Sequence, residues 1–197
     1  MTAAIEFGRA TLLVLDVEND IVAATPDIEP VLSNMQRVLA AVRDRGLPIS
    51  YVTVSFRDDY SDAPWKTHPL YQMVREYKMV LASTPGGEIH SAVAPQQNEP
   101  VFNKTCVNAF VTTRLQQHLQ ILDVNTLIIM GLWTNFVVES TTRHAADIGY
   151  RVIVLSDCCA SNSLKNHDFT VREILPNFGT VMNSSQLLVD LARNDAK

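Results

Sequence analysis

Residues 131–161 read GLWTNFVVESTTRHAADIGYRVIVLSDCCAS, and this stretch decides the fold class. A turn over residues 131–135 opens a helix that runs to Ile148 and stops at Gly149, where glycine accepts the left-handed backbone that ends helices. Residues 151–155 return to β-branched and leucine side chains, a strand that ends on Ser156 and Asp157. Just upstream, residues 126–130 (TLIIM) form another apolar strand. Strand, helix and strand in about thirty residues make a βαβ unit, whose crossover leaves the two strands parallel.

The same alternation extends in both directions. Residues 12–17 (LLVLDV) read as a buried strand, and residues 31–45 carry Met35, Val38, Leu39 and Val42 at helical spacing before Gly46. Residues 49–54 are a second strand, with Pro48 at its mouth where a missing amide does little harm. Val101 and Phe102 begin a short third strand ending at Lys104. Residues 110–122 predict a helix with Val111, Leu115, Leu119 and Leu122 on one face, and residues 180–182 a sixth strand. Strands too apolar to face water on either side imply a parallel sheet with helices on both faces. The expectation is an α/β fold of three αβα layers around a six-stranded, doubly wound parallel sheet. It forms a single domain over residues 1–197 with its core at about residues 10–190, without internal repeats. Residues 57–99 lose periodicity and are punctuated by Pro64, Pro69, Pro85, Gly86, Gly87 and Pro95, the pattern of a functional lid.

Composition narrows the function classes. The 197 residues are 47% hydrophobic and 19% charged, with a net charge of -5, so no broad basic face is expected to neutralise nucleic-acid phosphates. Apolar runs such as 126–131 and 152–155 are far below the roughly 20 residues a membrane-spanning helix needs. The first ten residues, MTAAIEFGRA, show no basic segment followed by an apolar one, so no secretory signal is expected. Cys106, Cys158 and Cys159 are too few for a disulfide framework or structural zinc, which points to a reducing cytoplasm. Five scattered histidines without ligand spacing predict neither a catalytic metal nor another cofactor. The expected partner is a small-molecule substrate.

In an open parallel sheet, ligands bind beyond the carboxyl ends of the strands. The residues delivered there are Asp16, Phe56 with Arg57, Lys104, the LWTN turn at 132–135, and Asp157 with Cys158. A carboxylate and an ammonium brought to one rim shift each other's proton affinity and can move protons at neutral pH. On spacing alone, a turn-forming Asp16 and a solvated Lys104 remain equally good readings, as does simple capping of the following helix by Thr134 or Asn135.

Three segments together change that balance. LLVLDVENDIV around Asp16, VFNKTCVNAF around Lys104, and the run G-x-x-T-x-x-x-V-x-x-T-x-x-x-A-x-x-x-G-Y from Gly131 to Tyr150 resemble the isochorismatase-like hydrolase family of the cysteine hydrolase superfamily. The resemblance covers about residues 10–190. It implies a catalytic triad of Asp, Lys and Cys, corresponding to Asp16, Lys104 and Val137 here, so this chain resembles a member without the catalytic cysteine. A valine carries no nucleophile, and the thiolate mechanism of the amidases cannot run through it. The resemblance also implies a cis peptide between Leu132 and Trp133, a substrate or oxyanion site made by Trp133, Thr134, Phe136 and Val137, and a homo-oligomer of two or more subunits.

Some members of the family it resembles, the true isochorismatases, also lack the cysteine and hydrolyse a vinyl ether: an aspartic acid protonates the methylene carbon and water adds to the oxocarbenium ion. By resemblance, Asp16 is that acid and Lys104 tunes it, and isochorismate, giving pyruvate and a dihydroxy acid, is one candidate within a class of small anionic or cyclic substrates. Two other readings stay open: a catalytically silent member that binds a small molecule or a partner, and an amidase using Cys106. Glu18 is expected to be a solvent-exposed charge. Asn19 and Asp20 are expected to shape their loop, and Cys158 and Cys159 to pack as small buried side chains. Trp133 is placed either to stack on a ring substrate or to form a hydrophobic wall. Arg57, Trp65, Tyr71 and Arg75, near His68 in the lid, are candidates for gripping a substrate carboxylate.

Overall fold

The computed structural model describes residues 5–64 and 67–193; of the expectations above, Trp65 and the first four residues of MTAAIEFGRA fall outside them. Six stretches of chain pair side by side, all parallel, as β1 (Ala10–Leu15), β2 (Ile49–Val54), β3 (Val101–Lys104), β4 (Thr126–Leu132), β5 (Arg151–Ala160) and β6 (Thr180–Met182), in the order β3-β2-β1-β4-β5-β6. The chain winds outward one way from β1 to β3 and then returns to lay β4 on the other side of β1. That reversal opens a crevice at the carboxyl ends of β1 and β4.

Side-chain alternation along each central strand divides the core into two layers. Leu12, Val14, Ile128, Met130, Ile153 and Leu155 pack beneath Leu32, Met35, Val38, Leu39 and Val42 of helix α2 (Glu29–Asp44) and Leu187 and Leu191 of a helix over Ser184–Arg193. Leu13, Leu15, Leu127, Ile129, Val152 and Val154 face the other way, against Leu115 and Leu119 of a helix over Leu115–Ile121 and Ala145 of one over Glu139–Asp147. The α/β class, the three layers and the six parallel strands agree with the sequence pattern. The outer strands do not exclude water as the central ones do: Val101 on β3 is 46% exposed, and all three residues of β6 are half-buried.

Several boundaries differ from the periodicity. The helix expected over 110–122 begins only at Leu115, because residues 110–113 form turns in which the Thr113 hydroxyl donates to the Ala109 carbonyl and accepts from the Leu115 amide. β5 continues past Leu155 to Ala160 through a register slip, so that Ile129 faces Val154 while Gly131 faces Cys159. The helix after β4 starts as a π-helical turn over Thr134–Val138 before becoming regular at Glu139. The irregular segment 57–99 contains a helix of its own over Pro69–Glu76 and two short 3-10 turns. Its far end is held to α2 by Arg43, whose Nε and Nη2 donate to the two oxygens of Glu99 at 2.8 Å each.

Candidate active site

Strand register aligns the rim of the crevice. Leu15 lies opposite both Val52 and Gly131, and Val54 lies opposite Lys104. Asp16, Lys104 and Trp133 therefore emerge on one edge, although 88 residues separate the first two in sequence. Asp16 sits one residue past β1 with a left-handed φ of 50°, its amide donating to the Val52 carbonyl at 2.9 Å. Non-glycine residues rarely adopt this conformation, and here it turns the carboxylate out of the strand and into the crevice.

Lys104 Nζ donates to Asp16 Oδ2 at 2.7 Å, and both side chains are almost wholly buried. Asp16 Oδ1 is buried and has no hydrogen-bond partner among the described residues. Burial pushes the Asp16 carboxyl up to about 6, against the opposing charge and hydrogen bond of Lys104. A carboxyl group tuned to that range exchanges a proton readily near neutrality.

Glu18 is a correction. Rather than standing in solvent, its side chain is fully buried in the same cluster, where Oε1 accepts the Val54 amide at 2.6 Å and Oε2 has no partner among the described residues. Burial first, then the neighbouring charge of Asp16, holds its carboxyl well above the usual carboxylate range. The chain is extended at Glu18 and pairs with Ile89 of the lid, so the burial comes from a segment far away in sequence.

The turn after β4 supplies the opposite wall. The Leu132–Trp133 peptide is cis, as the resemblance implies. Trp133 Nε1 donates to Thr25 Oγ1 at 2.7 Å, and that hydroxyl donates to the Ile21 carbonyl at 2.7 Å, which fixes the indole against helix α1 (Asn19–Ala23). Phe136 lies against the indole with ring centroids 5.9 Å apart. Trp133, Phe136 and Val137 line the pocket, but Thr134 is not among its lining residues: its hydroxyl is paired with His167 Nδ1 at 2.8 Å. Neither Thr25 nor His167 was legible as a partner, because both arrive from other elements.

A half-open pocket with a cavity volume of about 70 Å3 covers the Asp16–Lys104 pair with apolar side chains, among them Phe56, Tyr71, Met73 and Met79. Among the described residues, Asp16 and Lys104 are its only charged lining groups. Of the candidates for gripping a carboxylate, Arg57 and Arg75 do not line the pocket, and Arg57 is exposed with its amide donating to Asp62. Tyr71 does line it, and burial raises its hydroxyl to about 12, so it stays a neutral donor. Asn19 and Asp20 lie in helix α1 rather than in a loop, and they stitch the lid to that helix. Asn19 Nδ2 donates to the Pro85 carbonyl and the Val80 amide donates to Asp20 Oδ2, each at 2.7 Å.

The three cysteines separate clearly. Cys106 lines the pocket, and its thiol donates to the Val111 carbonyl at 3.3 Å. Cys158 and Cys159 are buried in the two core layers, and burial raises both thiols, Cys159 to about 12. Among the described residues no group of three His, Cys, Asp or Glu side chains is arranged to hold a metal ion.

A doubly wound sheet thus carries a buried carboxylate–ammonium pair at its switch point and a largely apolar pocket above it, a candidate active site of α/β class. The isochorismatase domain model matches residues 10–186, and the chain belongs to the isochorismatase family. It is 28% identical over 189 residues to the uncharacterized isochorismatase family protein YwoC of Bacillus subtilis (strain 168), covering 95% of this chain and 96% of that one. It is 25% identical to Nicotinamidase 3 of Arabidopsis thaliana, covering 94% and 90% of the two chains. The fold matches the crystal structure of a cysteine hydrolase from Pseudomonas syringae pv. phaseolicola 1448A with a TM-score of 0.88, at 24% identity over 97% of this chain and 96% of that chain.

Proposed function

We propose that this chain is a cysteine-independent hydrolase in which Asp16 acts as general acid on a small cyclic vinyl ether. The observation that carries the reading is the buried Asp16–Lys104 pair beside Val137, a position that lines the pocket without a nucleophile. Asp16 in its acid form gives its proton to the vinyl methylene carbon, leaving an oxocarbenium ion. Water adds to the oxocarbenium carbon that bears the ether oxygen and returns a proton to the Asp16 carboxylate, and the hemiketal separates into a carbonyl compound and an alcohol. No covalent enzyme intermediate forms, so Val137 is no obstacle. The positive charge that develops lies beside the Asp16 carboxylate, within a pocket whose apolar walls strengthen the attraction. Lys104 keeps Asp16 from becoming too weak an acid, opposing the effect of burial.

The walls favour a ring of modest size with at most one carboxylate, because a second would lose its hydration without gaining a cation. Isochorismate, with two carboxylates, is the most demanding candidate of this class. A second reading is supported by Cys106, whose thiol lines the same pocket and would make the chain a small amidase.

The test is NMR monitoring of wild type and Asp16→Asn with isochorismate, singly charged and uncharged cyclic vinyl ethers, and small amides. Carbonyl product from a vinyl ether, released by wild type and lost in the variant, is the expected result. Turnover of amides alone, abolished by Cys106→Ser, would replace the acid mechanism with the thiol one. Absence of any turnover leaves a ligand-binding member of the family and overturns both enzymatic readings.

A further inference from the structure

Asp16, Glu18 and Lys104 place two carboxyl groups and one ammonium in a single buried cluster, with 5%, 0% and 1% of their respective surfaces exposed. The ammonium is committed to Asp16 at 2.7 Å. Among the described residues, Glu18 is left with one backbone amide on Oε1 and no partner on Oε2. A second ionised carboxylate there would be a net buried charge without a counter-ion, which folded proteins avoid by neutralising the group.

We propose that Glu18 is a proton-holding positioning residue of this site, a neutral carboxylic acid that braces the carboxyl end of β2 and leaves Lys104 to Asp16 alone. Its role in turnover rests on the general-acid function of Asp16; its protonation state does not. The groups around it are consistent with a retained proton. Asp16 from the end of β1 disfavours its ionisation, and Lys104 from the end of β3 favours it but is already paired. The lid segment that bridges to Glu18 at Ile89 brings the exposed Glu88, whose carbonyl accepts the Asn19 amide, and His90, whose Nδ1 is occupied by the Ala92 amide. Asp20, on the adjoining helix, is occupied by the Val80 amide. Apart from Lys104, none of these brings a cation to Oε2.

Holding a proton separates two functions that one extra charge would confuse. With Glu18 neutral, the cluster carries either no net charge or, when Asp16 is protonated, the single charge of Lys104. An ionised Glu18 would compete for Lys104 and tighten the proton on Asp16, moving the working range of the acid upward.

Glu18→Gln keeps the oxygen that accepts the Val54 amide and cannot ionise. In the infrared difference between wild type and this variant at pH 7.5, a carboxylic-acid C=O band assigned to Glu18 is expected. Sign follows from linkage: a carboxyl group whose proton affinity rises on folding leaves stability intact below its unfolded range, and stability falls as pH rises toward its folded value. The variant should therefore melt with wild type near pH 4 and above it at pH 8, and the pH inflection of kcat/KM should stay within about half a unit. No acid band at pH 7.5, or an inflection that drops by a unit or more because a negative charge has been removed, would overturn the proposal. If the chain turns over no vinyl ether, the function proposed above fails, while the infrared and melting measurements still decide Glu18. Should Glu18→Gln not fold, the infrared pH titration of Asp16→Asn by itself reads the band, because an acid C=O that persists at pH 7.5 in that variant cannot come from Asp16.

Discussion

At the scale of single residues, the chemistry rests on how burial and one counter-charge set the proton on Asp16. Because that carboxyl is pushed up to about 6, a reaction needing its acid form should be fastest below pH 6 and lose about tenfold per pH unit above it. The kcat/KM profile of a turned-over vinyl ether checks this; a rate that instead rises through pH 6 would make Asp16 a base. Lys104→Gln removes what opposes burial, so the inflection should move up by a unit or more, with circular dichroism confirming the fold. Val137→Cys puts a thiol in the pocket in place of a slightly larger buried side chain, at a stability cost of about 0.5–1.5 kcal/mol. In a Cys106→Ser background, this variant should gain reactivity toward iodoacetamide, measured by mass spectrometry, and turnover of small amides is the accompanying expectation.

The elements act by bringing such residues to one rim, and two junctions carry that alignment. Gly131 ends the β1–β4 pairing at a φ of 153°, and a Cβ there would collide with the carbonyl oxygen of Leu15, the residue before Asp16. Gly131→Ala should therefore cost about 1–3 kcal/mol in denaturant unfolding and lower activity further by displacing Asp16. The second junction joins α1 to the lid through Asp20. Asp20→Ala leaves the buried Val80 amide without its acceptor, a loss of about 1–3 kcal/mol. Hydrogen exchange should rise over residues 69–94, and KM should suffer more than kcat, because Val80 and Met79 wall the pocket while the Asp16–Lys104 pair stays in place.

Over the whole molecule, two apolar layers clamp a sheet whose central strands are almost fully buried, and the site occupies the crevice left where the winding reverses. Among the described residues, no helix is long and apolar enough to cross a membrane. The homo-oligomer implied by the family resemblance belongs to this scale: sedimentation velocity should give a dimer or larger species, and a monomer at micromolar concentration would exclude it. Large apolar side chains at the surface, such as Ile121 at 76% and Leu164 at 72% exposed, are the places to look for protection on association.

Sequence alone determined what repeats along the chain. Continuous apolar runs identify β1, β2, β4 and β5, a period-3.6 pattern identifies α2, and the order of strands and helices makes the sheet parallel. The rule that ligands sit past strand ends then puts Asp16 and Lys104 among several rim candidates, and the family resemblance singles them out. Local patterning could not reach what depends on distant neighbours. Glu18 looks like a surface charge until Val54 and Ile89 cover it, and Thr134 looks like a pocket donor until His167 takes its hydroxyl. The lid helix over Pro69–Glu76 and the apolar walls of the pocket likewise exist only by closure over the rim. Burial is a sum over segments remote in sequence, and burial sets both the charge of a carboxyl group and the chemistry of the space around it, so the tertiary structure alone decided these points.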